Sequence, residues 1–203
     1  MCKPILINKK TQLRKPIRIA VDFDEVLCPM LKPLSQHFSK KYRCKIPSND
    51  PSLYNYANYF NISSEESKLL VQSYYNSDEC KNAKPLIGSE EAIRKMNEKY
   101  SLGIITGRQI YGKDATHLFL NTYFPDIFEY IEFTNSYSLY GPEIAKSDIC
   151  QKYDVDFLID DSVSICNEVS DIGVTPLLFG NYEWNKEDNL ERIISWEEFD
   201  KYL

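Results

Sequence analysis

The stretch Arg18-Ile19-Ala20-Val21-Asp22-Phe23-Asp24-Glu25-Val26-Leu27 joins a short apolar run to two carboxylates. Side chains at i and i+2 of an extended segment point to the same side. Asp22 and Asp24 are therefore expected to project together where a buried strand ends. Neighbouring carboxylates repel, and the arrangement costs free energy unless a cation or substrate relieves it. Such a pair suits attack by one Asp on phosphorus while the other handles the proton. A strand end running into acidic surface, or a helix cap, would use the same residues, so the pair gains meaning only from the rest of the chain.

Two more strand ends carry polar punctuation. Leu102-Gly103-Ile104-Ile105-Thr106-Gly107-Arg108 ends in a hydroxyl and then a glycine. The Thr106 hydroxyl and backbone N–H groups around Gly107 can hold phosphoryl oxygens, although an ordinary turn with a satisfied Thr has the same look. Phe157-Leu158-Ile159-Asp160-Asp161-Ser162 again stops an apolar run at carboxylates. Asp161 or Ser162 fits a helix N-cap, whereas Asp160 sits at the strand tip before it. With Asp22 and Asp24, Asp160 would supply oxygen ligands for Mg²⁺. Open α/β sheets form sites at the carboxyl ends of their strands, and all three signals fall there.

Outward from these ends the chain has a regular rhythm. Ile17 to Phe23 is expected as the first strand, nearly continuous in apolar character like a central parallel strand. After Pro85 and Gly88, helices over 89–99, 114–123, 143–152, 163–170 and 190–202 alternate with strands over 100–105, 130–133, 156–159 and 174–179. This order implies an α/β, Rossmann-like core with a parallel sheet flanked by helices. Residues 27–84 break the alternation. Leu31 to Tyr42 suits a helix, Ser48-Asn49-Asp50-Pro51 a turn or helix start, and Ser52 to Phe60 a helix or loop. Ser63 and Glu66 are spaced as a capping box for a helix through Tyr75. The expected division is a core of residues 1–26 and 85–203 with a helical insertion at 27–84.

The 203 residues suffice for one domain, or one with a sizeable insertion, and 43% apolar residues suffice for a core. A formal charge of −6 argues against a nucleic-acid polymer as a bulk electrostatic partner. Lys3, Lys9, Lys10, Arg14, Lys15 and Arg18 make the first stretch basic, which fits a solvated terminus better than a phosphate-facing arm. No apolar run approaches the ~20 residues of a membrane span, so no membrane partner is expected. The N-terminus lacks an apolar signal core, and Pro4 and Pro16 interrupt a presequence helix, so a cytoplasmic location is expected. Six Cys occur without CxxC spacing, pointing away from zinc and towards reduced thiols. Cys28 reads better as a packing residue than as a redox-sensitive neighbour of the acidic pair.

Taken together, Asp22-Phe23-Asp24-Glu25-Val26, Thr106-Gly107-Arg108, Lys146 and Asp160-Asp161 resemble the haloacid dehalogenase (HAD) superfamily of phosphohydrolases. The likeness spans roughly residues 17–181. It makes the 27–84 insertion a C1-type cap. It implies that Asp22 is the nucleophile, forming an aspartyl-phosphate, and that Asp24 is the acid and then the base. Thr106, Gly107 and Lys146 would hold phosphate, with Lys152 the alternative lysine. Mg²⁺ would sit between Asp22, the Asp24 carbonyl and Asp160, with Asp161 behind them. Thr175-Pro176-Leu177-Leu178-Phe179-Gly180-Asn181 and Ser195-Trp196-Glu197-Glu198-Phe199 resemble the 5′(3′)-deoxyribonucleotidase-like branch. That branch implies a small-molecule phosphomonoester substrate, such as a (deoxy)nucleoside monophosphate, and usually carries Gly where this chain has Glu25. Tyr54, Tyr56, Tyr59, Phe60, Tyr74 and Tyr75 either stack on a base or, the better fit for most, pack the insertion's own core. A phosphoprotein or phosphosugar phosphatase is the first alternative, and a regulatory domain without turnover the second. A homodimer is compatible with all of these. Arg108 either faces substrate or pairs with a surface acid.

Overall fold

The computed structural model describes residues 16–47, 56–186 and 188–201. Six strands form one sheet in the order β3-β2-β1-β4-β5-β6. They are β1 (Arg18–Val21), β2 (Ser101–Thr106), β3 (Tyr130–Phe133), β4 (Phe157–Asp160), β5 (Thr175–Phe179) and β6 (Arg192–Ile193). Every neighbouring pair is parallel. Val21 stands opposite Ile104 on one side and Ile159 on the other, so the central strands end at a common level.

The sheet forms because its central strands are apolar on both faces, as parallel strands between helix layers must be. Every residue of β2 is buried. Ile19, Val21, Leu102, Ile104 and Ile159 face one layer, where they meet Ile93 and Met96 of α5 (Ser89–Asn97) and Phe119 and Leu120 of α6 (Lys113–Tyr123). Ala20, Ile105 and Leu158 face the other, against Ile149 of α7 (Lys146–Lys152) and Val169 of α8 (Val163–Asp171). Gly103 is required where it stands: a Cβ there would lie 2.1 Å from the Tyr130 ring.

Between β1 and α5 the described residues make four helices, α1 (Leu31–Tyr42), α2 (Tyr56–Phe60), α3 (Ser64–Tyr75) and α4 (Asp78–Lys81). They bury an apolar cluster of their own around Leu34, Phe38, Leu70, Val71, Tyr74 and Cys80. The two segments joining them to the sheet lie side by side, with Leu86 N–H donating to the Leu27 carbonyl at 2.9 Å. The capping box read from the sequence is present. Glu66 N–H donates to Ser63 Oγ at 3.1 Å, and Ser63 N–H to Glu66 Oε2 at 2.8 Å.

Several expectations need correction. The strand expected over Ile17–Phe23 is β1 alone, extended by one ladder bond from Asp22 N–H to the Ile159 carbonyl at 2.8 Å. The helix expected from Glu143 begins at Lys146, because Ile144 N–H is taken by the Thr134 carbonyl and Ala145 is extended. The closing helix over Leu190–Tyr202 is instead β6 and a 3-10 segment, Trp196–Lys201. Tertiary bonds override helical periodicity there. Arg192 Nη1 donates to the Gly180 carbonyl at 2.6 Å and Trp196 Nε1 to the Val26 carbonyl at 2.6 Å. The turn expected at Ser48–Pro51, the basic start of the chain and Tyr54 lie outside the described residues. No helix among the described residues is long and apolar enough to cross a membrane.

Candidate active site

A cleft of about 350 Å³ opens where β1, β2 and β4 end, between the sheet and the α1–α4 helices. Asp22, Asp160 and Asp161 meet in its floor. They are 5%, 1% and 4% exposed, and one carboxylate oxygen of each lies within 4.8 Å of the others. Asp22 is carried there by its ladder bond, and Asp160 and Asp161 by the end of β4. Lys146, the first residue of α7, donates from Nζ to Asp22 Oδ1 at 2.6 Å and to Asp160 Oδ2 at 2.7 Å. Burial opposes its charge, but the Asp160 and Asp22 carboxylates outweigh that and hold the ammonium well above its ordinary value. Burial pushes Asp22 up to about 7, with Lys146 opposing and the Asp160 charge adding to the rise. Burial and the Asp160 and Asp22 charges likewise raise Asp161 well above the carboxylate range, against Lys146 and a bond from Trp184.

Three buried carboxylates with one ammonium leave an excess of negative charge in low dielectric, a cost that a further cation would offset. The donors are all carboxylate oxygens, the hard set that suits Mg²⁺ rather than a soft metal. The residues present therefore fit the ion expected from the sequence. Asp161 stands within this group rather than behind it.

Asp24 does not join that group. Its carboxylate, 20% exposed on the cleft wall, is gripped by Arg108. Nε donates to Oδ2 at 2.9 Å and to Oδ1 at 3.1 Å, and Nη2 to Oδ1 at 2.7 Å. Asp22 and Asp24 both line the cleft, as their i, i+2 spacing implies, but the chain leaves the ladder after Asp22, Asp24 forms an isolated bridge with Cys28, and its carboxylate turns to Arg108. Thr106 is fully buried and accepts the Arg108 N–H at 3.2 Å, while Gly107 lies on the cleft wall. Lys152 lies outside the cleft and pairs with Glu132 at 2.7 Å. Cys28 is buried as a packing residue, and burial raises its thiol out of reach of ionisation.

Three features go beyond what was read in the sequence. Arg108 sits beside the Thr-Gly pair, but nothing there announced Asp24 as its partner. Trp184 Nε1 donates to Asp161 Oδ2 at 2.9 Å, and Asn185 Nδ2 to the Asp161 carbonyl at 2.8 Å, from a loop with no motif. Glu25 has φ 58° and its Oε1 accepts the N–H groups of Met30 and Leu31 at 2.7 and 2.6 Å. It thereby caps α1, whose own N-cap Met30 offers no side-chain bond. Burial pushes Glu25 up to about 6, with those two N–H bonds opposing. Of the aromatic residues, Tyr59, Phe60 and Tyr74 pack the cluster of the α1–α4 helices, whereas Tyr75 also reaches the cleft wall.

Residues 15–203 match the family described as 5′ nucleotidase, deoxy (pyrimidine), cytosolic type C protein (NT5C). No curated protein sequence matches the chain. Among solved structures, a haloacid dehalogenase-like hydrolase from Streptococcus pneumoniae is 15% identical with a TM-score of 0.68, covering 92% of this chain and 98% of its own. A predicted phosphatase from Clostridium acetobutylicum is 16% identical with a TM-score of 0.67, covering 92% and 97%. A HAD-superfamily hydrolase from Geobacter sulfurreducens is 14% identical with a TM-score of 0.60, covering 93% and 97%. At these identities the structural neighbours establish the fold, and the family match, running from the segment before β1 to the last residue, establishes kinship. The chain belongs to the NT5C family of HAD-superfamily phosphohydrolases.

Proposed function

We propose that the chain is a Mg²⁺-dependent phosphomonoester hydrolase that works through an aspartyl-phosphate on Asp22, with a (deoxy)nucleoside monophosphate as the substrate class. The observation that carries this is the buried Asp22, Asp160 and Asp161 group beneath Lys146 at the strand ends of an NT5C-family chain. Asp22, Asp160, Asp161 and the Asp24 carbonyl are the groups that would hold the ion. When bound, Mg²⁺ supplies charge neutralisation for a phosphoryl group approaching this acidic floor.

The chain's own residues do the rest. Asp22 Oδ attacks phosphorus in line, the bond to the leaving oxygen breaks, and Asp24, entering in its protonated form, delivers its proton to that oxygen and is left as the carboxylate. Asp24 then takes a proton from the water that releases phosphate. Lys146 turns from the carboxylates to the phosphoryl oxygens, as does the backbone at Gly107. Trp184 and Asn185 hold Asp161 in place. Residues 27–84 serve as the cap, with Tyr75 closing the cleft from above and excluding water.

The test is phosphate release from a panel of nucleoside monophosphates and generic phosphomonoesters, with Mg²⁺ and after chelation. Turnover that needs Mg²⁺ and falls at least about 10³-fold in Asp22→Asn is expected. Chelator-insensitive turnover, or full activity in Asp22→Asn, would refute the mechanism.

A further inference from the structure

Among the described residues of the cleft, Arg108 is a strongly held cation that this mechanism leaves without a task. Its side chain is 2% exposed. Nε and Nη2 take both oxygens of Asp24, and Nη1 donates to Thr116 Oγ1 at 3.0 Å. The Thr116 hydroxyl in turn donates to the Gly112 carbonyl at 3.0 Å, so the far end of the guanidinium is anchored to α6. The guanidinium lies over the Phe23 ring at 4.3 Å and beside the Tyr75 ring at 5.2 Å. Tyr75 belongs to α3 and is itself fixed. Its hydroxyl donates to Gln109 Oε1 at 3.0 Å, and a Cβ on Gly112 would come within 2.9 Å of its ring.

A forked guanidinium on a carboxylate fixes orientation as well as charge. With its other end tied to Thr116 and its faces covered by Phe23 and Tyr75, Arg108 is not arranged to follow a phosphate. We propose that Arg108 is a positioning residue: it holds the Asp24 carboxylate in one orientation on the cleft wall, and Tyr75 from α3 keeps Arg108 in that place. The inference rests on the proposed role of Asp24 in proton transfer. A carboxylate held in its working orientation needs no ordering at the transition state, which is where such pre-organisation acts. Tyr75 then links the α1–α4 helices to the chemistry through the Arg108 guanidinium.

Two measurements test this, one of them without substrate. The first is a thermal double-variant cycle on Asp24→Asn, Arg108→Lys and both together. Lysine keeps the charge and loses the fork, so the variant is expected to fold. The melting shift of the double variant should be smaller than the sum of the single shifts by about 3 °C or more. Shifts that add to within about 1 °C would overturn the clamp whatever the activity.

The second is kinetics with Mg²⁺ on two substrates, a nucleoside 5′-monophosphate with a poor alkoxide leaving group and p-nitrophenyl phosphate with a good one. Arg108→Lys and Thr116→Val should lower kcat on the nucleotide, Arg108→Lys by about 10- to 100-fold, with KM within about twofold. The loss on p-nitrophenyl phosphate should be several-fold smaller, and Arg108→Lys should add little in the Asp24→Asn background. A rise in KM with kcat kept would make Arg108 a substrate contact, and equal losses on both substrates would make its role merely structural; either overturns the inference. Coupled melting shifts in a chain that turns over neither substrate would refute the proposed function and leave the Arg108–Asp24 clamp standing.

Discussion

The sheet and the four helices that follow β1 are held together by different means. Around the central strands one large cluster of aliphatic side chains and rings is closed from solvent, with every residue of β2 covered and Phe23 meeting Phe119 edge-on at 5.1 Å. The α1–α4 helices bury a smaller cluster, in which rings pack among Leu34, Leu70 and Val71 and ion pairs close one edge. Phe38 meets Phe60 edge-on at 5.5 Å, and Tyr42 stacks on Phe60 at 5.1 Å. Glu79 of α4 draws in Lys40 and His37 of α1. A large close-packed core tolerates little displacement, whereas a small cluster that leans on ring pairs and on an ion pair with an exposed lysine holds its geometry less firmly. The carboxylates that must meet to a fraction of an ångström stand on the first kind of structure. Tyr75, which meets Arg108 at the cleft wall, stands on the second.

Removing one core side chain from each region would sharpen or break this contrast. Leu102→Ala, at the centre of the sheet, should cost about 3–4 kcal/mol and lower the single cooperative transition. Leu70→Ala in α3 should cost about 2–3 kcal/mol and speed hydrogen exchange in α1–α4 before the sheet exchanges. Global exchange in both variants would show that the two regions unfold as one. Next in size is Ser63→Ala, which removes the N-cap of α3 and should cost about 1 kcal/mol, again visible first in local exchange.

The smallest effect should come from acid. The Lys40 bond, the Lys40 charge and the His37 bond hold the Glu79 carboxyl below its ordinary value against burial. A depressed carboxyl contributes stability that is complete above its unfolded value and is lost as pH falls through the folded one. As pH falls below about 4.5 the α1–α4 helices should therefore loosen, and Glu79→Gln should flatten that dependence in an exchange or fluorescence titration. An unchanged profile would assign acid sensitivity to other groups.

What could be read beforehand follows the same divide. The parallel sheet was legible because apolar runs, turn residues and strand-end carboxylates recur in step. Asp22 and Asp160 were legible because each ends such a run. The orientation of Asp24 was not, since it depends on where the ladder lets go and on an arginine 84 positions away. The hold on Asp161 was hidden as well, for Trp184 and Asn185 lie in a loop without periodicity. The last segment misled, because its helical spacing lost to the burial of Trp196 and Phe199 against the sheet layer.

The bond between Leu86 and Leu27 means that the chain leaves the sheet and re-enters it through one doorway. An excursion whose two ends already touch can be lengthened, trimmed or exchanged without rethreading any strand. For inheritance, this lets the surface above the doorway be rewritten around a retained Tyr75 while the strand-end carboxylates below are passed on unchanged. For the experimenter, it marks Leu27 and Leu86 as the natural points at which to splice.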